Sequence, residues 1–218
     1  LMEFAPELQQ RICFTDETLE DYDAVIATGS NNTSRYFEYY FGQKPHIIRK
    51  NRNSIAIVTG EESPQQLNGL AEDVFRYFGM GCRSVSKIFV PEGYDFDPLF
   101  EAFYAYRGRI HHPKYANNYD YNKAIFLMSG APMLDNGFML LKQDAGLASP
   151  IGTLFYETYT GLDALQAQLQ ASRDQLQCVV GPAHLPQSIP YGQTQKPGLS
   201  DYADGVDTLS FLSKVMVK

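Results

Sequence analysis

The segment Phe78-Gly79-Met80-Gly81-Cys82-Arg83-Ser84 has the residue types and spacing best suited to chemistry. Cysteine reacts as its thiolate, which wants an exposed and locally electropositive setting. The flanking glycines let backbone approach a substrate closely. Arg83, beside the thiol, and Lys87, five residues on, are both placed to lower its pKa. For an arbitrary cysteine the bland alternative, a buried structural thiol at a helix–strand junction, is the commoner case. The other two thiols fit that alternative: Cys178 lies in the apolar run Leu176-Gln177-Cys178-Val179-Val180, and Cys13 is also read as structural. Three cysteines without a CxxC pair argue against a disulfide framework or zinc site and for reduced thiols in a cytoplasmic setting.

The histidines carry less. His46 precedes a strand and reads as a capping or surface residue, although an acid–base role near a crevice is open to it. His111-His112 would point to opposite faces of a strand, with no carboxylate or thiol suitably placed, so no metal site is expected. His184 lies in a Pro-rich loop and is assigned nothing. The basic run Arg49 to Arg52 suits either contact with phosphates or a solvated turn. The aromatic stretches Phe100 to Tyr106 and Tyr115 to Tyr121 read as core or oligomer packing, with an acyl-chain tunnel as the functional alternative.

The elements that must position these residues follow from periodicity. Asp23 to Gly29 is a short apolar run suited to a buried parallel strand. Ser30 or Asn31 can cap a helix over Thr33 to Phe41, with Gly42 past its end. Strands are expected at His46-Ile47-Ile48 and Ser54 to Val58, making a βαβ unit and a parallel sheet. Ser63-Pro64 opens a helix whose apolar positions run from Leu67 to Phe78. Lys87 to Val90, Phe138 to Leu141, Thr153 to Tyr159 and Leu176 to Val180 read as strands. Glu7 to Phe14 reads as the end of a helix, and Leu99 to Tyr106, Lys114 to Met128 and Leu162 to Ala171 read as helices. A Gly/Pro-rich loop, Pro182 to Gly205, leads to the apolar tail Leu209 to Val217. The turn Lys50-Asn51-Arg52-Asn53 is the best hinge, giving units of 1–50 and 51–218.

The 218 residues can bury a substantial core, and 44% hydrophobic with 20% charged residues is ordinary for a globular protein. A net charge of −7 argues against nucleic acid or an anionic membrane as a mainly electrostatic partner. No apolar run approaches the length of a membrane span. The start, Leu1-Met2-Glu3-Phe4-Ala5-Pro6, is no signal peptide, and Leu ahead of Met suggests a piece of something longer.

The order helix, Gly-x-Gly, Cys82, a cation five residues later, the strand Ile88-Phe89-Val90 and Pro91-Glu92 resembles the active-site segment of the aldehyde dehydrogenase superfamily. Thr28-Gly29-Ser30 is similar to that superfamily's Thr-Gly-Ser turn beside the nicotinamide. Ala148-Ser149-Pro150-Ile151 resembles its Phe-Gly-Pro-Val stretch, and Tyr191-Gly192 to Gly198 its terminal Gly-rich loop. The likeness spans nearly the whole chain in one register. It implies an α/β fold: the C-terminal portion of a Rossmann-like cofactor domain, then the α/β catalytic domain. It further implies Cys82 as nucleophile, cofactor contacts at Thr28, Gly29 and Ser30, and homo-oligomer formation.

The departures narrow the reading. Where hydrolytic members carry Glu-Leu-Gly-Gly-Lys, this chain has Arg49-Lys50-Asn51-Arg52-Asn53 and so lacks the water-activating Glu. Gly146 stands where their ribose-binding Glu would be, and Ala148 where the Phe would be. With Ile26 to Thr33 and Tyr36-Phe37, the sequence resembles the acyl-CoA reductases that include the bacterial luminescence fatty acyl reductases. That resemblance implies reduction of an acyl thioester such as fatty acyl-CoA to an aldehyde, by NADPH or NADH, through an acyl-enzyme on Cys82. It also implies that the phosphate-binding loop and a side-chain oxyanion donor lie in an N-terminal stretch outside this chain, so that the chain alone turns over little. The competing expectations are a hydrolytic aldehyde dehydrogenase and a non-catalytic assembly domain of the same fold.

Overall fold

The computed structural model describes residues 2–216, so Leu1 of the expected N-terminal segment and Val217 of the expected tail lie outside the described residues. The chain divides into two compact units, Leu1–Lys50 with Asp207–Lys218, and Asn51–Val206.

In the first unit, β1 (Val25–Thr28) and β2 (His46–Arg49) pair in parallel, Val25 opposite His46 and Thr28 opposite Arg49. Between them runs α1 (Asn31–Phe41), capped by Ser30, whose hydroxyl accepts from the Thr33 N–H at 3.1 Å. This is the expected βαβ unit. The apolar tail forms α6 (Thr208–Met216), and Arg49 of β2 donates to the Thr208 hydroxyl at 3.2 Å. The helix expected over Glu7 to Phe14 shrinks to a 3₁₀ turn, Pro6–Gln10. None of its residues is buried, so no packing sustains a longer helix.

The second unit holds six strands: β3 (Asn53–Ile57), β4 (Val85–Pro91), β5 (Met133–Asp135), β6 (Leu140–Gln143), β7 (Thr153–Tyr159) and β8 (Leu176–Val180). Their order in the sheet is β5-β6-β7-β4-β3-β8, parallel except for the β5–β6 pair. Alternation along β3 and Val58, the residue after it, sorts the two faces. Ala56 and Val58 join the core made with α2 (Pro64–Phe75) and α3 (Asp97–Phe103), through Leu70, Val74, Leu99 and Phe103. Ile55 and Ile57 face the other way, with Phe89, onto Leu165 and Leu169 of α5 (Leu162–Ala171). A further helix, α4 (Pro113–Met128), buries Tyr115, Tyr119 and Asn122.

Two expectations shift here, and one strand, β5, was not expected. Strand pairing begins at Leu140 rather than Phe138, because the Asn136 side chain accepts from the Phe138 and Met139 N–H groups and holds them in a turn. The short antiparallel edge β5 carries no alternation that would reveal it. The helix from Ser63 is α-helical only to Phe75. It then enters a 3₁₀ turn, Arg76–Gly79, in which Tyr77 (φ 53°), Phe78 (φ 60°) and Gly79 (φ 72°) all take left-handed backbone.

Candidate functional site

Two consecutive non-glycine residues in the left-handed region cost about 1 kcal/mol each and persist only where the surroundings hold them. Here the surroundings are aromatic. The Phe78 ring lies 4.6 Å from the His112 ring and 6.2 Å from Tyr115, with the Arg109 guanidinium 4.6 Å above it. The reversal ends α2 and delivers the chain to a turn closed by the Ser84 N–H on the Gly81 carbonyl at 2.9 Å. Cys82 occupies that turn and is exposed. The Cys82 N–H has no acceptor among the described residues, which leaves it able to donate to a developing oxyanion.

The turn is held from three sides. Ser54, at the start of β3, donates to the Cys82 carbonyl at 2.8 Å and accepts from the Cys178 N–H at 3.1 Å, joining β3, β8 and the thiol loop. Arg83 Nε donates to the Thr194 carbonyl. Gln195 Nε2 donates to the Ser84 hydroxyl at 3.4 Å. Thr194 and Gln195 belong to the Gly-rich loop, which is itself anchored by Asp73 of α2. The wholly buried carboxylate accepts from the Gly192 N–H at 2.7 Å, the Thr194 N–H at 3.1 Å and the Thr194 hydroxyl at 2.8 Å. Burial pushes the Asp73 carboxyl above its usual range, against the opposing pull of these three donors. Gly192 (φ 79°) packs so tightly on Gly69 that an added Cβ would sit 3.0 Å from the Gly69 Cα.

Lys87 does not serve the thiol as expected. Only 1% exposed on β4, its ammonium meets Glu157 at 2.6 Å and the Ala145 carbonyl at 3.0 Å, above the Phe89 ring. Its charge is compensated by Glu157, and its role is to pin the 144–149 loop. Ser86 does the same through the Leu147 carbonyl at 2.6 Å. Asp144 completes that loop: hydrogen bonds from Lys142 and from the Gly146 N–H at 2.8 Å hold its carboxyl below the usual range. Gly146 is thus an acceptor-bound turn residue with no side chain to clamp a ribose.

Thr28, Gly29 and Ser30 form the β1–α1 corner in the first unit. Thr28 and Ser30 are exposed, and the Gly29 N–H donates to the Arg49 carbonyl at 3.2 Å. A Cβ on Gly29 would lie 2.9 Å from Thr33 and 3.0 Å from Phe37, so this corner excludes any side chain there. Cys178 is buried, and burial raises its thiol pKa; Cys13, by contrast with its structural reading, is exposed. Among the described residues no group of three or more His, Cys, Asp or Glu could hold a metal ion, and no helix is long and apolar enough to cross a membrane.

Sequence reasoning missed Ser54 and Asp73. A carboxylate on the same helical face as Gly69 and Leu70 was the available signal for Asp73, since charge on a buried stripe requires partners.

No protein-family model matches the chain, and no curated protein matches it significantly in sequence. Solved structures do match its fold. The NAD-dependent aldehyde dehydrogenase of Sinorhizobium meliloti superposes with TM-score 0.55 at 16% identity, covering 80% of this chain and 41% of that one. The P. syringae indole-3-acetaldehyde dehydrogenase, solved with NAD+ and IAA, gives 0.53 at 13% identity, covering 76% and 41%. The Bacillus cereus aldehyde dehydrogenase, solved with NAD+, gives 0.53 at 12%, covering 75% and 40%. The chain has the α/β fold of aldehyde dehydrogenases. It spans about two fifths of the length of these proteins.

Proposed function

We propose that this chain carries the thiol-bearing catalytic part of an NAD(P)H-dependent acyl thioester reductase, with Cys82 as nucleophile. The observation that carries this reading is an exposed cysteine on a turn braced by Ser54, Thr194 and Gln195, within an aldehyde dehydrogenase fold. The Cys82 thiolate adds to the thioester carbonyl and the carrier thiolate leaves, so one thioester replaces another. The Cys82 N–H donates to the oxyanion in that step. A bound nicotinamide supplies two electrons as hydride. Hydride added at the acyl carbon yields the aldehyde as the C–S bond breaks and its electron pair leaves with Cys82 as thiolate, with no net proton taken up.

The β1–α1 corner suits such a cofactor. It offers an exposed Thr28 hydroxyl, a glycine without space for a side chain, and the N-terminal end of an 11-residue helix. Position 146, a glycine, has no carboxylate to offer a cofactor ribose, which departs from the hydrolytic pattern. The stretch Arg49 to Asn53 offers no carboxylate to activate water, so the acyl-enzyme is spared hydrolysis.

Incubating the longer protein that contains this chain with an acyl-CoA and NADPH or NADH tests the reaction. Aldehyde is the expected product, formed with oxidation of the nicotinamide. Conversion of added aldehyde to free acid, with no aldehyde formed from acyl-CoA, would support the hydrolytic alternative instead.

A further inference from the structure

The second unit contains a cavity of about 480 Å³ walled by Arg52, Arg83, Arg173 and Lys196. Four cations face two carboxylates there, Asp201 and Asp204, in a chain whose net charge is −7. Arg52 lies 3.6 Å from Asp204, and Asp201 is engaged by the Gly198 N–H at 2.8 Å. Arg83 is held by the Thr194 carbonyl, so its guanidinium is preorganised. Among the described residues the Arg173 guanidinium donates only to the Leu176 carbonyl, at 3.4 Å, and Lys196 lies 4.0 Å from Glu72. Their charges are therefore weakly compensated.

Gln177 lines the same cavity, and its buried side-chain oxygen has no hydrogen-bond partner among the described residues. A buried amide oxygen without a donor is costly. The cavity thus calls for a ligand that brings both an anion and an amide N–H. Guanidinium forks match the tetrahedral oxygens of phosphate particularly well. The cavity also adjoins the reactive turn in sequence, Arg83 being the residue after Cys82.

We infer that this cavity binds the phosphorylated, amide-bearing arm of the acyl carrier, a phosphopantetheine group, with Arg83, Arg173 and Lys196 on phosphate and Gln177 on an arm amide. The inference rests on the thioester reading above and gives that substrate its recognition element.

Calorimetric titration of the protein under reducing conditions with 4′-phosphopantetheine, pantetheine and glutarate tests it. Phosphopantetheine is expected to bind at least roughly tenfold more tightly than pantetheine, the scale of one charge-assisted hydrogen bond. Arg173→Gln and Lys196→Gln, at exposed side chains, should each weaken phosphopantetheine by about tenfold and leave pantetheine unaltered. Lys114→Gln, outside the cavity, should change neither. Equal binding of the phosphorylated and unphosphorylated arms would overturn the inference, as would unaltered binding in both cavity variants. Glutarate binding in preference to phosphopantetheine would move the anion to the acyl half of the substrate and refute the carrier assignment. Acylation of Cys82 that persists without phosphopantetheine binding would remove this inference alone. Binding without acylation would remove the catalytic reading and leave the cavity assigned.

Discussion

Replacing Asp73 by alanine should separate the support of the site from its chemistry. The carboxylate holds three buried donors, the N–H groups of Gly192 and Thr194 and the Thr194 hydroxyl. Each donor left without an acceptor costs about 1–3 kcal/mol. Two effects reduce the total: the emptied space can admit water, and the penalty of burying the carboxylate disappears. The net expectation is a loss of about 2–4 kcal/mol. At the usual scaling this lowers Tm by roughly 5–15 °C. The loop released is the one whose Thr194 and Gln195 hold Arg83 and Ser84, so alkylation of Cys82 by iodoacetamide should also change rate.

The same residue sets a pH dependence. Because burial raises the Asp73 pKa, the folded state binds this proton more tightly than the unfolded chain. Stability therefore falls as pH rises from the unfolded carboxylate value through the raised folded value, and Asp73→Asn should remove that slope. Urea unfolding across acidic to neutral pH measures both effects. An alanine variant within about 0.5 kcal/mol of the parent would refute the reasoning, since that is the scale of an inconsequential surface change.

Lys87→Met should destabilise by about 1–3 kcal/mol, less than the loss of a sealed ion pair, because the half-buried Glu157 can turn to water while the Ala145 carbonyl loses its donor. Urea unfolding checks it, and a stabilised variant would contradict the pinning role. Asp144 acts in the opposite pH sense to Asp73. Its pKa is lowered by Lys142 and the Gly146 N–H, so its stabilisation is complete above the ordinary carboxylate value and lost as pH falls through the lowered one. Asp144→Asn should flatten the acid limb of the unfolding profile.

Most elements were legible because their periodicity is strong. The strand Thr153–Tyr159, the helix Leu162–Ala171 and the strand Leu176–Val180 stand where the apolar patterns place them. The N-terminal Glu7–Phe14 pattern misled because apolar spacing makes a helix only where something packs on it. Phe78 misled differently: it keeps helical spacing with Phe75, yet its ring is claimed by His112, Arg109 and Tyr115 after the backbone has reversed. Glycine spacing marked the thiol turn as a place for close approach. Lys87 was misplaced because offset in sequence says nothing of which face of β4 a side chain takes. The braces from Ser54 and Asp73 are contacts across 28 and 121 residues respectively, which no local pattern encodes.

Mass spectrometry of the intact protein after exposure to an acyl-CoA without nicotinamide tests the central assignment most directly. The account predicts a single acyl group, mapped to the peptide holding Cys82 and missing from Cys82→Ala. Acylation confined to the exposed Cys13, or a protein that stays unmodified across acyl chain lengths, would contradict it.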